Sequence, residues 1–266
     1  MAERAIIGLT DWLKTPAGRY VLQWEQSHLD SAVVDLFGFH ALQLGLPELD
    51  ALHANRMPHR WVATDSAVAP TSGGVDEPPR TAVALHCDFD ALPFDSNSLD
   101  LVVLPHALEF ARDPHLALRE VERVLVPEGR VVIVGFNPSS LWGLRQWLGR
   151  GRQLLASRAR RPLFLPSAGE FMRYRRLRDW LRLLSFEVEA GRFGCYRPPV
   201  AAEKWLTRFE WMERAGERWW PVFGAVYFVV AVKRVRGMRL VGLVRDQQRQ
   251  PAHAPVVAAH HNKDPE

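Results

Sequence analysis

Four polar residues stand where an apolar run ends. Asp65 follows the run 60–64, Asp88 follows 81–87, His106 follows 99–104 after one proline, and Asn137 follows 130–136. A carboxylate accepts hydrogen bonds and donates none, so Asp65 and Asp88 suit a ligand that offers donors. An imidazole titrates near neutrality, which lets His106 hold or move a proton. Asn137, with Pro138 after it, can orient a ligand or form a turn. Each of the other three also has a plainer role open to it. Asp65 can be a solvated loop acid, Asp88 a turn cap, and His106 a histidine bonded to its own loop.

The elements that must carry these residues are legible in outline. The first 38 residues read as helical, with Thr15-Pro16 as a helix start and Tyr20, Val21, Trp24 and Leu29 at roughly helical spacing. Strands are expected over 39–45, 60–64 and 81–87, with a weak helix over 47–55 and a Pro/Gly loop over 66–80. Residues 99–104 form a continuous apolar run, the pattern of a strand buried on both faces. Asp113-Pro114 supplies an N-cap and an N1 proline for a helix that turns Leu118, Val121 and Leu125 inward. Pro127-Glu128-Gly129 then turns the chain into a strand over 130–136. Strand, helix and strand with short connections predict a right-handed crossover and a parallel sheet. A helix over 167–184 and strands over 186–192 and 222–233 complete the pattern. The tail 234–266 is basic, then Pro-, Ala- and His-rich, and is expected to stay disordered. His260-His261 in that tail is a weak metal hint, and no metal site is expected.

Composition narrows the classes. The chain has 266 residues, 47% apolar and 24% charged, enough for a packed α/β core without staples. Cys87 and Cys195 form no metal-ligand pattern and suit a reducing compartment. The start of the chain shows no signal peptide, and the most apolar stretch, 223–232, is too short to span a bilayer. A cytoplasmic location is expected. Gly73-Gly74 lacks the Lys and Ser/Thr of a phosphate loop, and no Gly-x-Gly-x-x-Gly follows a strand, which argues against a nicotinamide dehydrogenase.

From Cys87 to Pro138 the chain resembles the type 11 branch of class I S-adenosylmethionine-dependent methyltransferases. The likeness runs colinearly through Asp88-Phe89-Asp90-Ala91-Leu92-Pro93-Phe94 and Ser98-Leu99-Asp100-Leu101-Val102-Val103. It continues through Asp113-Pro114 and Arg119 to Gly129, into Val131-Val132-Ile133-Val134. The resemblance implies a Rossmann-like, doubly wound α/β fold with a mainly parallel seven-stranded sheet and an antiparallel last strand. It implies S-adenosylmethionine as cofactor, with Asp88 facing the adenine amino group, Cys87 and Phe89 lining the adenine slot, and Asp65 binding the ribose hydroxyls. His106 would face the transferring methyl and hold the acceptor or take its proton, and Asn137 would position the acceptor. Family members carry an acid and several glycines after the first strand. In the register Leu42-Gln43-Leu44-Gly45-Leu46-Pro47, Gln43 takes the acid's place and only Gly45 remains. A register on Asp35 and Gly38 leaves the first strand too far from Asp65.

A sulfonium already activates its methyl group, so in-line positioning can supply most of the acceleration and no catalytic base is required. The expected function is methyl transfer to a small or lipophilic acceptor. The alternative is a catalytically degenerate domain of the same fold that serves as a binding module, as the departure at the glycine motif suggests. The domain is expected over 39–233, after a helical extension over 1–38, with a basic lid inserted over 140–185.

That lid is unusual in composition. Between Arg145 and Arg182 there are eleven arginines against two acids, Glu170 and Asp179. Over 140–164 they interleave with Leu141, Trp142, Leu144, Trp147, Leu148, Leu154 and Leu155. Such a segment suits an anionic membrane surface. It also suits a nucleic acid, or an ordinary solvated helix face.

Overall fold

Thr15 caps the second helix of the chain: its hydroxyl accepts from the Gly18 amide at 3.1 Å, and Pro16 takes the first helical position. The computed structural model describes residues 3–65, 82–155, 163–166 and 170–234. The loop expected over 66–80 and almost all of the basic tail lie outside them. Helix α1 (Glu3–Leu13) and α2 (Pro16–Val33) precede a sheet built from β1 (His40–Leu44), β2 (His59–Thr64), β3 (Leu85–His86), β4 (Leu99–Pro105), β5 (Leu125–Phe136), β6 (Phe186–Gly194) and β7 (Val226–Lys233). The remaining helices are α3 (Ala107–Phe110), α4 (Pro114–Val124), α5 (Leu141–Leu155), α6 (Tyr174–Leu183), α7 (Glu203–Arg208) and α8 (Trp211–Trp219).

The strand order is β3-β2-β1-β4-β5-β7-β6. Strands β1 to β5 pair in parallel, and β7 runs antiparallel to both β5 and β6. This is the doubly wound sheet with an antiparallel last strand. The chain leaves β1 toward one edge, then returns to β4 and builds the other, so the order reverses between β1 and β4. Ligands of open α/β sheets bind above the carboxyl ends of the strands at that switch.

Period-two alternation sorts the core onto the two faces. Leu101 and Val103 of β4, with Val132, Val134 and Phe136 of β5, pack against α1 and α2. Val102 and Leu104, with Val131 and Ile133, pack against α4 and α6. All nine are essentially inaccessible, and each such side chain contributes about 1.5–3 kcal/mol by leaving water. Asp113 caps α4 as the sequence predicts, its carboxylate accepting from the amides of His115 and Leu116.

Several boundaries differ from the sequence expectation. The third strand shrinks to two residues because it sits at the sheet edge and pairs only through Leu85 and His86. Pro127-Glu128-Gly129 does not separate a helix from a strand. It is a swelling within β5, where the step from Leu125 to Arg130 faces the shorter step from Leu99 to Leu101. The expected helix over 47–55 is a series of turns, since the Gln43 side chain claims carbonyls that a helix would use. The helix expected from 167 starts only at Tyr174; before it, Phe171 packs on the Phe136 ring and the Glu170 amide donates to the Glu109 carbonyl. The last strand begins at Val226, after a 3-10 turn over Pro221–Phe223.

Candidate functional site

The parallel pairing brings Asp65 and Asp88 to one place. The Cys87 amide donates to the Thr64 carbonyl at 3.0 Å, which sets the end of β3 beside the end of β2. Both carboxylates then line a cavity of about 100 Å³ whose walls include Phe89, Ala111 and Arg112. Asp65 is buried and Asp88 is exposed. Burial, with Asp88 and then Asp65 nearby, pushes the Cys87 thiol up to about 11, so it is a neutral wall group rather than a nucleophile. Gly45 follows β1 with φ +81°, a left-handed conformation that favours glycine, and a β-carbon there would approach Phe89 and Ala107 at 3.8 and 3.6 Å. Gly45, Asp65, Cys87, Asp88 and Phe89 thus gather at the carboxyl edge of β1, β2 and β3.

Gln43 does not join them. Its side chain is fully buried, and Nε2 donates toward the carbonyls of Gly45, Leu46 and Leu49 at 3.1, 2.9 and 2.7 Å. Its Oε1 accepts from the Ala51 amide at 2.9 Å. An amide both donates and accepts, which a carboxylate cannot. The residue in the acid's place therefore holds the following loop and points away from a ligand.

His106 occupies the end of β4, in the left-handed conformation with φ 55°. Its side chain lines neither of the cavities described here. Nε2 lies 2.7 Å from Glu25 of α2 and Nδ1 lies 2.9 Å from Glu109 of α3, and all three side chains are buried. Glu109 also accepts from the Phe136 amide. Burial alone would lower the imidazole, but the two carboxylates outweigh it and His106 is pushed up to about 10. Burial raises Glu109 against the pull of His106. With both nitrogens engaged as donors, the charged ring is a tie between α2 and the sheet, unable to accept a proton. Glu25 carries no motif; its signal in the sequence is an acid on the apolar stripe of α2, between Val21 and Leu29.

Asn137 is likewise committed. Its Nδ2 donates to the carbonyls of Val222 and Gly224, both at 2.9 Å, and its Oδ1 accepts from the Ser139 amide at 3.0 Å. It joins the end of β5 to the 3-10 turn before β7.

Beyond that junction lies a cavity of about 780 Å³, lined by Leu141, Leu144 and Trp147 of α5 on one side and Tyr196, Trp220 and Phe223 on the other. Arg150 and Arg173 also face it. Helix α5 is anchored by its inner face: the Trp142 indole donates to the Arg197 carbonyl at 2.7 Å, and the Gln146 amide bonds both N–H and C=O of Leu165. The far wall is fixed by Glu213 of α8, which accepts from the Tyr20 hydroxyl and from the amides of Cys195 and Tyr196. The two walls come from segments about seventy residues apart, a pairing no local spacing discloses. Trp142 and Trp147, neighbours in the arginine-rich stretch, part company here: the first is buried and the second is 69% exposed.

Residues 55–133 match the model of a methyltransferase domain. The chain is 33% identical to the uncharacterized protein YafS of Escherichia coli over 183 residues, covering 68% of this chain and 67% of that protein. It is 43% identical over 67 residues to the malonyl-(acyl-carrier protein) O-methyltransferase of Halorhodospira halophila, covering 25% of this chain and about a quarter (23%) of that relative's length. In structure it is similar to a chain of the complex between the Haloferax volcanii Trm112 methyltransferase activator and a methyltransferase. That likeness has a TM-score of 0.56 at 19% identity, covers 88% of this chain and 99% of the other, and speaks for the fold alone.

Proposed function

Because the chain belongs to the class I S-adenosylmethionine-dependent methyltransferases, in the type 11 branch, we propose that it methylates a lipophilic acceptor lodged between α5 and the 3-10 turn. The observation that carries the cofactor assignment is the shared cavity of Asp65 and Asp88 at the ends of β2 and β3. Two carboxylates, an aromatic ring at Phe89 and a left-handed Gly45 form a set suited to an adenosine, with its hydroxyl and amino donors. Asp65 would accept from the ribose hydroxyls and Asp88 from the adenine amine. When bound, S-adenosylmethionine supplies a methyl group already activated by its sulfonium.

What the chain itself contributes is position and dryness. The wall of the larger cavity is mostly apolar, which holds a greasy acceptor and excludes water. Among the described residues its titratable members are Arg150, Arg173 and Tyr196, the last with its phenol raised by burial. No imidazole or carboxylate stands among the described lining residues, and His106 is spent on its two carboxylates. The acceptor must therefore bring an atom that is nucleophilic without help, and an anionic one would be held by the two arginines. Orientation remains the main source of acceleration.

Calorimetric titration with S-adenosylmethionine and S-adenosylhomocysteine tests the cofactor assignment. Saturable binding of both is expected. Absence of binding by the wild-type protein would leave a methyltransferase fold that serves as a binding module.

A further inference from the structure

The larger cavity opens through a rim that is itself apolar. Leu141, Leu144, Trp147, Trp220 and Phe223 line it, and each is at least half exposed. Contiguous apolar surface of this kind on a soluble domain marks a contact with a ligand, a protein or a membrane. On α5 the exposed positions Leu141, Leu144 and Leu148 fall three and four apart, so they form one stripe, while Trp142 and Gln146 face inward. Leu148, Trp219 and Val222 extend the exposed surface beyond the lining itself, at 46%, 71% and 53% exposure.

Charge selects among the partners. Helix α5 carries Arg145, Arg150 and Arg152 and no acid. Exposed Arg150 and Arg173 stand among the apolar lining residues rather than on a separate face. Acids do occur on α8: Glu213 is turned inward to Tyr20 and the amides of Cys195 and Tyr196, and the exposed Glu217 is outnumbered on the same helix by Arg214 and Arg218. Tryptophan and leucine beside arginine, at one opening, complement the boundary between acyl chains and anionic headgroups. A polyanion such as RNA would match the arginines but leave the apolar stripe in water. No helix among the described residues is long and apolar enough to cross a membrane.

We infer that the mouth of the cavity docks on an anionic phospholipid surface through Leu144, Trp147, Trp220 and Phe223, with Arg150 and Arg173 reading the headgroups. A lipid-soluble acceptor then passes from the bilayer into the cavity without crossing water. This passage rests on the cavity being the acceptor chamber; docking does not, and it is measured without cofactor or acceptor.

The test is co-sedimentation of the full chain with phosphatidylcholine vesicles, with and without phosphatidylserine, at low and high salt. Binding should rise with phosphatidylserine and fall with salt. Arg150→Gln and Arg173→Gln should each weaken it about fivefold, and Trp147→Ala with Phe223→Ala should weaken it even at low salt. Because variants can misfold, a second measurement uses the wild type: acyl-brominated lipids should quench its tryptophan emission, and Trp147→Phe with Trp220→Phe should remove most of that quenching. No binding to either vesicle, binding indifferent to phosphatidylserine, or RNA binding without vesicle binding would overturn the inference. Failure of cofactor titration beside successful docking would instead remove the methyl-transfer proposal and leave the surface assignment in place.

Discussion

Nε2 of His106 lies 2.7 Å from Oε1 of Glu25, across 81 residues of sequence and with neither side chain exposed. This contact and its partner to Glu109 occupy both ring nitrogens, in place of the ligand-facing histidine that the family resemblance implies. The tie makes stability depend on pH in a definite direction. The imidazole is pushed up to about 10 in the folded chain, against about 6.5 when unfolded. Its stabilisation is complete below about 6.5, declines as pH rises, and is lost above about 10. Glu109 is also raised, so its ionisation adds a loss of the same sign as pH rises. The melting temperature should fall between pH 7 and 10, and His106→Gln should flatten that decline. A wild-type profile level across this range would refute the charged-ring assignment.

Removing Glu25 leaves a buried imidazolium with one partner. Glu25→Ala should lower the unfolding free energy by about 3–5 kcal/mol, as for other broken buried pairs. Glu25→Gln, which keeps a hydrogen-bond acceptor, should cost less. Urea unfolding measures both, and equal losses would point to packing rather than charge.

At position 43 the family's acid cannot simply be restored. Gln43→Glu would place a carboxylate against three carbonyl oxygens that now receive an amide proton donor. The expected outcome is destabilisation of about 2–4 kcal/mol with no gain in S-adenosylhomocysteine affinity. Tighter binding in this variant would show that the side chain turns toward the ligand after all.

On the cofactor side, Asp88→Ala should weaken S-adenosylhomocysteine binding by about ten- to a hundredfold, the value of a charge-assisted hydrogen bond. The exposed position of Asp88 predicts little change in the melting temperature of the free protein. Calorimetry beside a thermal melt separates the two effects.

The fold was legible because its signals are local. Thr15 and Asp113 each cap the helix they precede, and the run 99–104 lies within the central strand. The ends of β2 and β3 follow from runs of the same kind, and the parallel pairing of those strands brings Asp65 and Asp88 into one cavity. What escaped the sequence depends on distant partners. A histidine after a strand looks the same whether it faces a ligand or a glutamate 81 residues away. Gln43 stands where the motif predicts, but its orientation is decided by carbonyls of the loop that follows. Pro127-Glu128-Gly129 has turn chemistry, yet the pairing of Leu125 with Leu99 absorbs it into a strand.

Asn137 has a consequence for selectivity. Its side chain grips Val222 and Gly224 on either side of Phe223, while its own carbonyl accepts from the Ser140 hydroxyl just before α5 begins. Asn137 therefore ties the 3-10 turn to the start of α5, alongside the separate anchors of Trp142, Gln146 and Glu213, and spreading the two walls there means breaking its bonds. On the proposed reading the chamber would act as a gauge of fixed bore, sorting candidates by girth at the entrance before any chemistry distinguishes them. Asn137→Ala should blunt that sorting, admitting bulkier apolar molecules while loosening the hold on slender ones.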